Sequence, residues 1–290
     1  MFYEYAIDPQ LLAEPATSEA LVRDLANNDH RLIAGPERPW RREGYTQLKK
    51  SNLSDVKRRT LTNHLNKVKF TRRLDKARHP NEPLLDFFLR EHQSQPYTAI
   101  MSEQPDETDS IFKFSELLGR QPPGWKEHSS TTIVNNPVAL FELVRPLLFL
   151  SKQIDIVDPY LSFFQPSWLR YQPFLNLLFS NSDSYCLGRG IDTVRLHTSM
   201  YYESMEHLLK KLREEGFATG VTVKVSHWPV EEMHDRFLIT EIGALQVGSG
   251  FGLDPEKKRE INVFRASKET ATSQRSKIQG TPVLTYTSKA

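Results

Sequence analysis

Residues 233–249 read MHDRFLITEIGALQVGS, and this stretch decides how the second half of the chain is interpreted. Short apolar runs precede and follow Gly243, a pattern typical of two strands joined by a turn. His234 and Arg236 stand one residue apart at the start of the first run, so alternation along a strand predicts that their side chains share a face. The second run ends in Gly248-Ser249, where backbone amides and a hydroxyl can bind an anion. Together these groups indicate a phosphate site.

The sequence around this stretch alternates between helical and strand-like patterns, which predicts an α/β sandwich with a mixed sheet. Helices are predicted over residues 137–151, 166–179 and 200–216, and strands over residues 154–160, 193–198, 221–225 and 261–264. The first half is predicted to be a basic, mainly helical domain. Its predicted helices span residues 18–27, 55–70 and 83–91, and its short strands span residues 2–7 and 97–101.

A turn cluster, Gln121-Pro-Pro-Gly124, places a domain boundary near residues 124–130. The predicted organisation is a basic N-terminal region over residues 1–129, an α/β domain over residues 130–268 and a polar C-terminal tail over residues 269–290. Within that tail, residues 283–286 form the one short apolar stretch that fits an edge strand.

The composition of the 290 residues excludes several classes of protein. A hydrophobic fraction of 38% is sufficient for a core, so the chain is not a disordered one. The single cysteine, Cys186, excludes a disulfide within one chain and a cysteine-based metal cluster, and favours a reducing, cytoplasmic compartment. The start of the chain lacks a secretory signal pattern. The longest apolar stretch, residues 138–150, contains charged residues and is too short to span a bilayer, so no membrane association is expected.

The net charge of +2 is unevenly distributed along the chain. The segment Arg38–His79 contains 14 Lys or Arg against three acidic residues, a net charge of +11, which leaves −9 for the remainder. Such an excess is typical of a surface that binds DNA or RNA. A solvated or protein-facing surface and an anionic membrane are the alternatives. Ten residues are predicted to contact nucleic acid: Arg41, Arg42, Lys49, Lys50, Lys57, Arg58, Arg59, Lys67, Arg72 and Arg73.

The spacing within residues 233–251 resembles the motif of the phospholipase D superfamily, which is His-x-Lys, four residues, Asp, six residues, Gly-Ser-x-Asn. The corresponding residues of this chain are His234, Arg236, Glu241, Gly248, Ser249 and Phe251. Arginine replaces the lysine, glutamate the aspartate, and phenylalanine the asparagine. The resemblance covers about residues 130–268, and the chain carries one copy of the motif.

The resemblance implies a role for each matching residue. His234 would attack phosphorus and form a phosphohistidine. Arg236 would hold the phosphate oxygens and stabilise the charge of the transition state, with Gly248-Ser249 binding another oxygen. Glu260, on the strand after the motif, would orient His234, and Glu241 would support the loop. This mechanism requires no metal and no cofactor.

Four residues outside the motif have simpler interpretations. Asp158 follows a predicted strand in an Asp-Pro-Tyr sequence and is interpreted as a turn cap. His197 and His227 stand at strand ends and are interpreted as ordinary, partly exposed histidines rather than pocket residues. Cys186 has no base beside it in the sequence, so a catalytic thiol is not expected.

Two functions follow from the resemblance and the charge. The first is a metal-independent phosphodiesterase that cuts DNA or RNA, in a setting such as a bacterial restriction or phage-defence system. Because members with one motif obtain the second histidine from a symmetry mate, this function implies a homodimer that pairs two His234 sites. The alternative is a non-catalytic subunit that binds nucleic acid or partner proteins in a larger defence complex, with His234 structural. A lipid-headgroup protein is disfavoured, because no amphipathic anchor is evident.

Overall fold

The structure is a computed structural model, and it divides the chain into two compact units, Phe2–Glu127 and His128–Ala290. The division falls within the stretch where the turn cluster places the boundary. Residues 201–216 of the helix predicted over residues 200–216 lie outside the described residues, as does Cys186. Among the described helices, none is long and apolar enough to cross a membrane. The residues described are 1–28, 30–71, 78–104, 111–114, 122, 124–125, 129–164, 166–179, 191–200, 221–254, 256, 259–280 and 284–289.

The N-terminal unit is organised on a five-stranded sheet with the order β3-β2-β1-β4-β5, in which every neighbouring pair is parallel. The strands are β1 (Tyr3–Ile7), β2 (Arg31–Ala34), β3 (Phe70–Thr71), β4 (Ala99–Met101) and β5 (Ile111–Phe112). The helices are α1 (Pro15–Asn27), α2 (Glu37–Lys50), α3 (Asp55–Lys67) and α4 (Leu84–Ser94). A parallel arrangement of this kind is typical of a doubly wound α/β unit.

The predicted strands at residues 2–7 and 97–101 are confirmed as β1 and β4. The description of this half as mainly helical overlooked the rest of the sheet. β2, β3 and β5 are two to four residues long, which is too short for a strand pattern to be recognised in the sequence. Helix α2 was also missed, because it is strongly polar and buries only Trp40, Gly44 and Leu48 at intervals of four residues.

The C-terminal unit contains an eight-stranded mixed sheet with the order β13-β9-β8-β7-β10-β11-β12-β6. β7, β8 and β9 are parallel to one another, and the other pairs are antiparallel. The mixed α/β class predicted for this half is therefore confirmed. The strands are β6 (Ser130–Val134), β7 (Gln153–Val157), β8 (Thr193–Thr198), β9 (Thr222–His227), β10 (Phe237–Thr240), β11 (Ala244–Val247), β12 (Glu260–Arg265) and β13 (Leu284–Lys289).

Three described helices accompany this sheet: α5 (Pro137–Leu150), α6 (Trp168–Phe179) and α7 (Lys268–Ile278). Asn136 caps α5 by accepting a hydrogen bond from the Val138 amide, 2.8 Å away, with Pro137 in the first turn as predicted. Pro173 lies inside α6 without dividing it.

The segment predicted as a polar C-terminal tail, residues 269–290, belongs to the C-terminal unit. Most of that segment forms α7 and β13, and β13 pairs with β9 along six residues, as the edge strand expected over residues 283–286. Ala271 and Ile278 of α7 are buried against a cluster that includes Trp228 and Phe237. Because only two residues of α7 are buried, its sequence carries almost no amphipathic signal.

Candidate functional site

The candidate site lies where the end of β7 meets the start of β10. These strands are antiparallel, with Val157 opposite Phe237. The residue after β7, Asp158, is therefore brought next to the residue before β10, Arg236. The turn that follows β11, residues 248–252, closes over the same point. Sheet topology thus assembles three segments that are far apart in the sequence.

The Asp158 carboxylate is the anchor of the site. Its side chain is 1% exposed, and it accepts hydrogen bonds from the amides of Tyr160 and Phe251, each at 3.0 Å. Arg236 Nε lies 3.9 Å from Asp158 Oδ1. Burial raises the pKa of Asp158 above its ordinary value, against the opposing effect of the two amides, Arg236 and Tyr171. The Tyr160 contact agrees with the turn-cap interpretation, whereas the bond to Phe251 is a long-range contact that the sequence does not reveal.

Gly250 allows the turn to approach Asp158 and Arg236. Its φ of +80° is in the left-handed region, which side chains other than glycine rarely adopt. A Cβ placed there would lie 2.5 Å from Asp158 Oδ2 and 2.7 Å from Arg236 Cδ. Both the backbone conformation and the available space therefore require glycine at this position.

Phe251 occupies the position at which the resembled motif has asparagine, and here it is a core residue. It is 1% exposed, and its ring centroid is 5.5 Å from that of Phe174 in α6. Its amide binds Asp158 while its ring packs in the core. The replacement thus anchors the turn between the sheet and α6.

Arg236 and Tyr160 form a partly exposed pair. The guanidinium carbon lies 5.1 Å from the centroid of the Tyr160 ring, within the range of a cation–π contact. Arg236 Nη1 lies 3.5 Å from the Gly248 carbonyl oxygen. The Arg236 side chain is 28% exposed, and Tyr160 is 59% exposed. A cation and an aromatic face are thus presented together beside the Gly248-Ser249 turn, in which both residues are exposed.

His234 is exposed and precedes β10 by three residues. Its Nε2 lies 3.0 Å from the Glu231 carbonyl oxygen, and because a carbonyl only accepts, this nitrogen carries a proton. His234 also lines a small pocket of about 50 Å³ with Trp228 and Lys277. Since β10 begins at Phe237, strand alternation does not govern His234 and Arg236, and no contact between the described residues joins these two side chains.

Glu260 and Glu241 are placed apart from His234. Glu260 is the exposed first residue of β12, opposite Val134 of β6, and the contacts of the described residues do not connect it to His234. The Glu241 carboxylate accepts hydrogen bonds from two backbone amides at the start of β7, those of Lys152 at 3.2 Å and Gln153 at 3.0 Å. The length of β10, four residues or about 13 Å at about 3.3 Å per residue, separates Glu241 from His234. Glu241 therefore supports a loop at the opposite end of the sheet.

A second polar cluster lies within the same unit, in which Asp155, His197 and Trp228 are buried and Arg195 is half-buried. His197 Nε2 lies 2.9 Å from Asp155 Oδ1, and Trp228 Nε1 donates to His197 Nδ1 at 3.0 Å. Since the indole only donates, His197 is neutral and donates from Nε2 to Asp155. Burial alone would raise the pKa of Asp155, but hydrogen bonds from His197 and Arg195 outweigh it and hold that pKa below its ordinary value.

The cluster corrects the interpretation of His197 as a partly exposed residue, because it is 1% exposed. Its two ring nitrogens are both occupied by side chains, which fixes its tautomer and its orientation. His227 is half-buried, with Nε2 3.1 Å from the Ser199 carbonyl oxygen. Both histidines are therefore held by contacts within the fold.

The residues of α2 and α3 that are predicted to contact nucleic acid fall into two groups: those held by contacts within the fold and those exposed to solvent. Arg41 donates to the carbonyls of Leu65 and Val68 and pairs with Glu37, so its guanidinium joins α2 to α3. Arg58 pairs with Asp55 and is half-buried. Arg72 and Arg73 lie outside the described residues. The exposed members are Arg42, Lys49, Lys50, Lys57, Arg59 and Lys67.

Comparison with known proteins adds no relative from which these roles can be transferred. No family model and no curated protein matches this chain.

Proposed function

We propose that the C-terminal unit binds and hydrolyses phosphodiesters of DNA or RNA at His234 and Arg236. One observation carries this proposal. Arg236 is held by buried Asp158 and exposed Tyr160 beside the Gly248-Ser249 turn, and an exposed histidine stands two residues before it. A guanidinium binds phosphate oxygens in a forked geometry, and an exposed tyrosine offers a face for a nucleobase.

The proposed reaction proceeds in two displacements. The unprotonated nitrogen of His234 attacks phosphorus, a P–N bond forms, and one ester P–O bond breaks. Arg236 and the Ser249 hydroxyl bind the non-bridging oxygens, where negative charge develops. The departing alkoxide takes a proton from a second histidine, His234 of another copy of the chain. Water then attacks phosphorus and gives a proton to that second histidine, the P–N bond breaks, and both histidines return to their starting states.

The basic surface of the N-terminal unit supports nucleic acid as the substrate class. The six exposed residues on α2 and α3 carry six positive charges, against three carboxylates in the same helices, and one of the six, Lys57, pairs with Glu19 of α1 at 2.6 Å. Such a surface attracts the phosphate backbone in a manner that depends steeply on salt. A setting in restriction or phage defence, with partner proteins, is consistent with this substrate class.

The test is cleavage of plasmid, single-stranded DNA and RNA by the full chain in the presence of a chelator. We expect cleavage by the wild type, none by His234→Ala, and more by Arg236→Lys than by Arg236→Ala, because lysine retains the charge without the fork. His79→Ala, which removes an exposed histidine from the other unit, is the matched control and should cleave normally. Equal cleavage by His234→Ala and the wild type would refute the assignment of the nucleophile.

Binding without turnover is the second candidate. It is favoured by the position of Glu260, which no contact among the described residues connects to His234. In that case the chain would bind nucleic acid with a steep salt dependence and cleave none of the three substrates. His234→Ala would then bind as the wild type does, whereas Arg236→Ala would bind more weakly.

A further inference from the structure

The N-terminal unit contains a cleft that the proposed function does not use. It has a volume of about 650 Å³, and its lining includes Asp8, Gln10, Thr17, Ser102 and Gln104. Volumes of this order are typical of small-molecule sites.

The cleft lies at the switch point of the parallel sheet. β1 continues to β2 on one side, whereas β4 pairs with the other side of β1. Asp8 follows the last residue of β1, and Ser102 follows the last residue of β4. The Asp8 amide donates to the Met101 carbonyl at 2.9 Å, so the two strand ends adjoin directly. In open α/β sheets this crevice is the general location of ligand sites.

The chemistry of the lining excludes a phosphate as the preferred ligand. No lysine or arginine is among the lining residues, which include the carboxylates of Asp8, Glu14 and Glu103. The residues after β1 are Asp8-Pro9-Gln10, without the glycines that let a backbone approach a pyrophosphate. The first amides of α1, those of Ala16 and Thr17, are already bound by the Glu14 side chain. The site is therefore not a nucleotide cradle, despite its strand order.

Asp8 lacks a cationic partner among its described contacts. It is 2% exposed and accepts hydrogen bonds from the Ser102 hydroxyl at 2.8 Å and the Gln10 amide at 3.0 Å, both neutral donors. Burial raises its pKa, against the opposing effect of these donors. After burial, the charge of Asp8 is the next cause of the raised pKa of Glu43 in α2. A buried carboxylate in this situation is stabilised by a positive charge supplied from outside.

We propose that this cleft binds a small organic cation, an amine or guanidinium compound of the polyamine type, whose ammonium group pairs with Asp8. Gln10 and Gln104, whose side-chain amides are 3.3 Å apart, supply further acceptors. A bare metal ion is a poor fit, because the cleft is much larger than an ion. In addition, the described part of the chain contains no group of three or more His, Cys, Asp or Glu residues arranged to hold one.

The test is calorimetric titration of the full chain with spermidine, with AMP and Mg²⁺ titrated separately. We expect saturable binding of spermidine at one site per chain, and at least a tenfold larger Kd in Asp8→Asn, about the effect of losing one charge-assisted hydrogen bond. Asp86→Asn, which removes an exposed carboxylate of α4 outside the cleft, is the matched control and should bind as the wild type does.

Ala13→Phe provides a second variant that leaves Asp8 intact. Ala13 is exposed and lines the cleft, so a larger side chain should fill the cleft and abolish binding without disturbing the core. Equal spermidine affinity in the wild type, Asp8→Asn and Ala13→Phe would overturn the proposal, as would tighter binding of AMP or Mg²⁺ than of spermidine. Because the readout is binding in the N-terminal unit, it is independent of cleavage at His234.

Discussion

The tight approach of Gly250 to Asp158 and Arg236 provides the sharpest test of the candidate site. Gly250→Ala would force alanine into a left-handed conformation at φ +80°, at a cost of about 1–2 kcal/mol. Its Cβ would also lie 2.5 Å from Asp158 Oδ2, a separation that requires the carboxylate or the turn to move. Overpacking of this kind costs about 1–3 kcal/mol. The free energy of unfolding of the C-terminal unit should therefore fall by about 2–5 kcal/mol.

Gly248→Ala is the matched control, in the same turn. Gly248 is not in the left-handed region, and the nearest atom to its added Cβ is the Asn262 carbonyl oxygen at 3.1 Å. We expect a loss of less than about 1 kcal/mol. Urea unfolding measures both variants, and hydrogen exchange of the Phe251 amide, which binds Asp158, reports the local change. Equal stability of the two variants, with unchanged protection of that amide, would refute the geometry of the turn.

Three further predictions concern stability. Because the folded-state pKa of Asp155 is depressed, its ionisation stabilises the fold above its ordinary pKa of about 4, and that contribution is lost as the pH falls through the folded-state value. The stability difference between wild type and Asp155→Asn, measured by urea unfolding at a series of pH values, should therefore be largest near neutrality and shrink below about pH 4. A difference that grows on acidification would contradict the direction of the pKa shift. Phe251→Asn, which restores the residue of the resembled motif, should lower the free energy of unfolding by about 3–5 kcal/mol, because it removes a ring packed on Phe174; a stable variant would show that the ring is not needed there. Ile278→Ala should cost about 2–4 kcal/mol in the same assay if α7 is part of the core, whereas exposed Ser276→Ala should change it by less than about 0.5 kcal/mol.

The elements that could be predicted are those with strong local patterns. β7, β8 and β10 are apolar runs bounded by polar or turn residues, and their prediction as strands is confirmed. The Asn136-Pro137 start of α5 identified a helix for the same reason, since a cap and a first-turn proline are local features. The structure contains four elements that the sequence did not predict: β2, β3, β5 and α2. The three strands are very short and are stabilised by pairing with distant strands, and the helix is strongly polar.

The candidate site shows the same division. Spacing along the sequence identified His234, Arg236 and the Gly248-Ser249 turn as candidates, but not the part that Asp158 plays. The hydrogen bond that Asp158 accepts from the Phe251 amide, and the approach of Asp158 to Arg236, depend on the antiparallel pairing of β7 with β10. The local spacing likewise did not reveal that Glu241 lies at the far end of β10.

The amino-acid sequence by itself determined the α/β class of the C-terminal half, the position of the motif at residues 234–251 and the location of the positive charge, because periodicity, spacing and charge are properties of neighbouring residues. Only the tertiary structure decided which side chains meet. The parallel sheet of the N-terminal unit, the cleft at Asp8, the neutral buried His197 and the docking of α7 and β13 all depend on pairings between distant segments. Those pairings are selected by the burial of the whole chain, and no local window of the sequence contains them.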